Sequence, residues 1–349
     1  VSDSRRTDAV LLLVALVWGS SYLSAQTATT ALPVLVVLLA RYALSAVACL
    51  GLVAAGQGRE RSKAGDGGRG QVRVRVRGQG SRLWTREELR AGLPLGLTQA
   101  AVLVIETYGV AHTTAANAGL IISLTIVLTP LLDRAGHPGG LPPAFYAAAG
   151  VCVLAVGLLM SGNGFHAPRL GDLLMVGAAL IRAVHVALVG RLTAGRPIRP
   201  LHLTTLQTVI GTALFLPAAA PDLPALARAD TGTWTQLLYL ALFCSVFAFL
   251  AQTWAVQRTS ASRASLLLGT EPIWAAAIGI ALGGEHLTPL TALGATLMVT
   301  GTYWGQSVER AHRARRTPRI PSPPPPLPSP RGGTPTILGG SAPEPPLRR

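Results

Sequence analysis

The sequence predicts an all-α polytopic membrane protein, with ten transmembrane helices arranged as two inverted five-helix repeats. Three observations lead there. Only 13% of the 349 residues are charged and mean hydropathy is +0.44, whereas a soluble domain is about one-quarter charged. The apolar residues gather into runs of spanning length, with the basic residues between them. Stretches of the first half also recur in the second.

A helix crosses the hydrocarbon with about 20 apolar residues. The runs that qualify are 9–28, 34–56, 91–111, 114–132, 143–162, 172–192, 201–220, 234–256, 262–283 and 289–306. Arg5 and Arg6 ahead of the first run resemble the charged end of a signal peptide. The run has no clear cleavage site and leads into a second span, so it reads as an uncleaved first helix. Pro130, Asp133 and Arg134 shorten the fourth run. The links are mostly short, which makes successive helices antiparallel. None of the runs alternates as barrel strands do, and helices are the other way to satisfy backbone groups in lipid.

Orientation follows from the basic residues. With the N-terminus inside, the cytoplasmic face holds Arg5, Arg6, the ten Lys/Arg of 57–90, Arg134, Arg191, Arg196, Arg199, Arg258, Arg263 and the arginines after 306. The outer links hold only Arg169 and Arg228. This predicts a multi-pass protein of the cytoplasmic (inner) membrane with both termini cytoplasmic. A net charge of +15 on a soluble chain would suggest nucleic acid; distributed between spans it sets topology instead, and nucleic acid is not an expected partner.

Three regions are expected: a first repeat over 1–162, including the basic loop 57–90; a second over 163–306; and a basic, Pro-rich tail over 307–349, too poor in core-forming residues to fold. Within the loop, Val72-Arg-Val-Arg-Val-Arg77 suits an edge strand, anionic headgroups or plain solvent. Cys49, Cys152 and Cys244 lie far apart inside apolar runs, so neither a disulfide framework nor a metal site is expected, and no cofactor.

The repeat is the most specific feature. Tyr108-Gly-Val-Ala-His-Thr-Thr-Ala-Ala-Asn-Ala-Gly-Leu120 aligns with Trp254-Ala-Val-Gln-Arg-Thr-Ser-Ala-Ser-Arg-Ala-Ser-Leu266. Gly150-Val-Cys-Val-Leu-Ala-Val-Gly157 aligns with Gly294-Ala-Thr-Leu-Met-Val-Thr-Gly301, and Asp8 with Asp172. Five spans per half is an odd number, so the second half enters the bilayer from the opposite face. Inverted repeats of this kind point to alternating access around a midplane site.

These residues resemble the EamA-type members of the drug/metabolite transporter superfamily. In the first half the resemblance rests on Trp18-Gly19-Ser20-Ser21, Leu32-Pro33 and Arg41-Tyr42. In the second it rests on Ser260-Ala-Ser-Arg-Ala-Ser265, Glu271-Pro272, Gly284-Glu285 and the Gly294/Gly301 pair. It covers about residues 9–306, and implies ten spans, two repeats and secondary transport of small metabolites, often export. Two departures stand out. The first half has Thr125-Ile126 and Gly139-Gly140 where the second has Glu-Pro and Gly-Glu, and Arg182 occupies a position more often aromatic or small.

Ionisable groups within spans are costly and face a partner or a pathway. Glu271 stands mid-span in the ninth run before Pro272, which is expected to kink the helix beside a gate or substrate contact; a static ion pair is the alternative. Arg182 and His185, three apart, share a face: a cationic site for a carboxylate-bearing substrate or a counter-charge to Glu271, with a buried Arg–Glu pair beside a packing histidine as the alternative. Glu106, whose repeat counterpart is Gln252, is either a proton carrier or a carboxylate at the rim. Arg41 binds an anionic group or pairs with a carboxylate, or else snorkels or pairs statically, and Trp18 lines a cavity or packs. Gly150, Gly157, Gly294 and Gly301 are expected to allow close helix contact. Glu285 reads as a loop cap.

The leading expectation is therefore a non-enzymatic secondary transporter of a small metabolite or drug-like molecule. Its partners would be that substrate and the lipid bilayer, with protons and a homodimer left open. No Gly-x4-Gly-Lys-[Ser/Thr] motif is present for nucleotide. The alternatives are a membrane scaffold or sensor, and a lipid-modifying enzyme, which would need clustered His or Asp.

Overall fold

The computed structural model describes residues 2–65, 84–134, 141–161, 169–193, 196, 198–256, 267–286 and 288–316. Among these no strand occurs, and helical residues lie in each of the ten apolar runs. The helices are α1 Ser2–Ala31, α2 Val34–Gly65, α3 Arg86–Ala111, α4 Ala115–Ile122, α5 Thr125–Arg134 and α6 Pro143–Ser161. There follow α7 Leu170–Thr193, α8 Pro200–Ala219, α9 Thr231–Leu238, α10 Ala248–Val256, α11 Glu271–Ala281 and α12 Pro289–Arg316. Six helices are long and apolar enough to cross a membrane: those covering Arg5–Ala31, Val34–Gly56, Arg86–Ala111, Leu170–Thr193, Pro200–Arg228 and Thr231–Gln252. Shorter apolar helices cover Ala115–Thr129, Pro143–Leu159 and Glu271–Ala281. The protein is thus a multi-pass membrane protein whose described residues are all-helical in their regular structure.

Local chemistry sets the helix ends. Pro33 separates α1 from α2, and its carbonyl accepts from Val36 and Val37 N–H in the new first turn. Thr85 and Glu88 form a reciprocal capping box at the start of α3. Pro200 opens α8, where its missing N–H costs nothing. Asp230 caps α9 through Thr233, which holds its carboxyl below the usual carboxylate range.

Several expectations change. The fourth run is not one helix: Ser123 turns its hydroxyl back to the Leu120 carbonyl at 2.6 Å, ending α4 before α5 begins at Thr125. The ninth run breaks in the same manner, with the Thr270 hydroxyl on the Leu267 carbonyl at 2.7 Å. Pro272 consequently does not kink a continuous helix. It stands in the first turn of α11, where no intrahelical donor is lost. The eighth run is also interrupted, because Tyr239–Phe247 between α9 and α10 winds as a π-helix, with i→i+5 hydrogen bonds. Helical structure continues past 306 to Arg316, beyond the expected start of a disordered tail. The Val72–Arg77 stretch, the Ser260–Ser265 motif and the tail after 316 lie outside the described residues.

The glycines divide. α6 packs along α12 through Ala148, Cys152, Ala155 and Leu159, facing Gly294, Met298, Gly301 and Gly305. A Cβ on Gly301 would stand 2.8 Å from Cys152 Sγ, and one on Gly294 3.2 Å from the Ala155 carbonyl. Gly150 and Gly157 are exposed, with nothing among the described residues within 4 Å of where their Cβ would be. Among the described residues, neither faces another helix at its Cβ position. The reason is register: the 146-residue offset that aligns Tyr108 with Trp254 aligns Ala148 and Ala155 with the two packed glycines, two positions from the match read off the glycines themselves. Gly301→Leu is therefore expected to lower stability by about 2–3 kcal/mol through overpacking. Gly157→Ala gains up to about 1 kcal/mol of helix propensity. Thermal unfolding in detergent, followed by size-exclusion fluorescence, separates the two; equal shifts would contradict this packing.

Elsewhere, α3 packs on α7 and α8, α2 on α8 and the π-helix, and α1 on α10 and α11, while α4 contacts α7 and α11. The broken helices α4 and α11 thereby meet at the middle of the bundle, where Gly19 of α1 and Gly119 of α4 let them approach Ala275.

Candidate functional site

Starting α11 at residue 271 places Glu271 in a first helical turn, where backbone N–H groups favour a carboxylate. Tyr22 of α1 donates to Glu271 Oε1 at 2.5 Å, and Arg182 Nη2 of α7 lies 3.5 Å from Oε2. The Arg182 guanidinium also lies 5.7 Å from the centre of the Trp18 ring. Trp18 Nε1 in turn donates to the Cys244 carbonyl in the π-helix at 3.1 Å. α1, α7, α11 and the π-helix are thus tied by one polar network, with Glu271 at its centre.

This network borders a cavity of about 480 Å³. All seven pathway candidates from the sequence line it: Trp18, Arg41, Glu106, Arg182, His185, Gln252 and Glu271. His185 pairs with the Thr98 hydroxyl through Nδ1 at 2.7 Å. Arg41 Nε donates to Ser245 Oγ at 2.9 Å. Glu106 has no hydrogen-bond partner among the described residues, and lies within the electrostatic reach of Arg182 and Arg41. Thr125, which stands in the first half where Glu271 stands in the second, is not part of the lining; its hydroxyl donates to the Ala179 carbonyl at 3.3 Å.

Other lining residues escaped a search for charges alone: Ser21, Gln99, Thr204, Gln207 and Phe249. Gln99 and Gln207 carried a usable signal, since burying an amide in an apolar run costs free energy unless it is partnered. At one end the cavity reaches Thr193, Arg196, Ile198 and Pro200, around the link between α7 and α8. Next to this mouth, Arg199 binds the fully buried Glu88 carboxylate through Nε at 2.8 Å and Nη2 at 3.0 Å, with His202 Nδ1 at 3.7 Å. Glu88 thus serves both the Thr85 cap and an interhelical ion pair, and the sequence reading found neither.

The opposite end is tied by a polar layer. Gln26 donates to the Thr113 carbonyl at 2.8 Å, and the Thr113 hydroxyl bonds the buried Asp172. Glu285 accepts from Ala115 N–H at 2.6 Å and Ala116 N–H at 3.2 Å, so it caps α4, a helix of the other half, rather than its own loop.

Membrane-length helices here hold charged and amide side chains around a small-molecule-sized cavity, an arrangement that a transport pathway requires. Comparison with known proteins agrees. Residues 169–304 match the EamA-like transporter family. Two proteins of Archaeoglobus fulgidus, each called "Uncharacterized transporter", are similar to it. One is 26% identical over 214 residues, spanning 61% of this chain and 67% of its own length. The other is 26% identical over 200 residues, spanning 55% and 67%. A solved structure described as "Crystal structure of protein" superposes with a TM-score of 0.58 at 16% identity, over 88% of this chain and 99% of that chain, which establishes a shared fold.

Proposed function

We propose that the chain is a secondary carrier that exports a small metabolite or drug-like molecule across the cytoplasmic membrane by alternating access. One observation carries this reading: a cavity lined by residues of both halves reaches the α7–α8 link, while hydrogen bonds from Gln26 and Thr113, and from Ala115 N–H to Glu285, tie the helices at the other end. By the distribution of arginines, the α7–α8 link is cytoplasmic, so the cavity loads from inside. Opening the other face would break the Gln26–Thr113–Asp172 and Glu285 links.

Ten spans in two inverted repeats fit the helix pairing. The 146-residue offset relates the start of α5 to that of α11, as well as the packed faces of α6 and α12. Contacts also exchange between halves: α5 lies against α7 as α11 lies against α1, and α3 against α8 as the π-helix lies against α2. Glu106, without a direct partner in the cavity, is the group we assign to proton coupling, with Glu271, Arg182 and His185 forming the gate.

The test is reconstitution into liposomes with radiolabelled amino acids and drug-like cations, with and without a pH gradient. Counterflow of at least one solute that depends on the protein is expected. Leak-level flux for every solute, or reagent mapping that places the two termini on opposite faces, would defeat the proposal.

A further inference from the structure

Arg41 is the least explained charge in the bundle. It is 7% exposed and, among the described residues, has no carboxylate within 4.0 Å. Leaving a buried guanidinium without a counter-charge costs several kcal/mol, so such a group implies a partner. Its one hydrogen bond to a described residue, from Nε to Ser245 Oγ, leaves both Nη groups without a partner among those residues. Ser245 is itself fixed, because its hydroxyl donates to the Leu240 carbonyl at 3.0 Å, five residues back in the π-helix. The π-helix therefore presents a fixed acceptor to Nε and orients the fork of the guanidinium.

The surroundings favour an anion. The cavity is lined by Arg41, Arg182 and Arg196 against Glu106 and Glu271, three positive groups to two negative. Glu271 is engaged by Arg182, and Arg196 stands exposed at the mouth, where a positive charge attracts anions inward. Beside Arg41, a side chamber of about 20 Å³ is lined by Tyr42, Ser45 and Ser245, and the Tyr42 hydroxyl is buried without a hydrogen-bond partner.

We propose that Arg41 anchors an oxyanion head group, carboxylate or phosphate, of a small organic ligand, and that Glu106 competes with that ligand for the guanidinium. A planar guanidinium meets either oxyanion with two parallel N–H bonds. Ser245 acts as the positioning residue. The inference rests on the transporter reading, since it takes the cavity to be the ligand site.

The test is binding to the purified full chain in detergent, with four probes that share a phenyl body. Two are anions, 3-phenylpropionate and phenyl phosphate; the others are the neutral 3-phenylpropanamide and the cationic 3-phenylpropylamine. At least one anion should bind more than about tenfold tighter than amide and amine, and the better anion tells carboxylate from phosphate. Arg41→Gln should weaken that anion by about thirtyfold or more while leaving the amide unchanged. Ser245→Ala should weaken it less, and Glu106→Gln should tighten it.

Equal affinity for all four probes would overturn the proposal, as would an absence of anion binding to folded protein or an Arg41→Gln variant that binds the anion normally. If Arg41→Gln does not fold, opposite shifts in Ser245→Ala and Glu106→Gln remain required. Arg41-dependent binding without flux in liposomes would sink the carrier reading and leave the anchor standing. Flux unaffected by Arg41→Gln would do the reverse.

Discussion

Glu271→Gln is expected to abolish solute flux, by about 100-fold or more, while the protein still inserts and purifies. The substitution keeps the side-chain volume and an oxygen to accept from Tyr22, but removes the charge opposite Arg182. The Arg182 guanidinium, 24% exposed, would then face an amide, and breaking a buried pair on one side costs about 3–5 kcal/mol. Glu271→Asp, which retains the charge on a shorter stem, should keep partial flux. The measurement is counterflow in liposomes, normalised to inserted protein. Flux within about twofold of the parent would remove Glu271 from the transport cycle and leave it as a packing group.

Gly19→Val should be nearly as damaging without touching a polar group. A Cβ at position 19 would stand 2.7 Å from Trp274 Cβ and 2.8 Å from the Ala275 nitrogen, with the Glu271 carbonyl at 3.0 Å. Two of these three contacts are backbone, so relief requires α1 and α11 to separate. Overpacking of this kind costs about 1–3 kcal/mol, and the separation also pulls Tyr22 from Glu271. A lowered unfolding temperature together with lost flux is expected; Gly19→Ala should show the same effect more weakly. A Gly19→Val protein with parental melting and parental flux would show that α1 and α11 need not lie this close.

Pro272 and the glycines show how far such features can be read from sequence. A proline in a long apolar run implies a kink only if the run is one helix, and the break at Thr270 turns it into a helix-starting residue. The glycine pairs matched by identity, yet the packed counterparts of Gly294 and Gly301 are Ala148 and Ala155, because a Cβ small enough for contact need not be absent. Glu285 looked local and instead caps α4, a contact between residues 170 positions apart in sequence.

The residues alone were enough to establish the helical membrane class, the approximate runs and the small set of ionisable side chains inside them. Each is a local consequence of water being absent from the bilayer core, where an unpaired backbone group or a bare charge is too costly to occur without a role. Which of those side chains pair, where the fourth and ninth runs break, and that Arg41 is left without a carboxylate depended on helix rotation and approach. Those are set by how whole helices pack against one another, and no single segment carries that information.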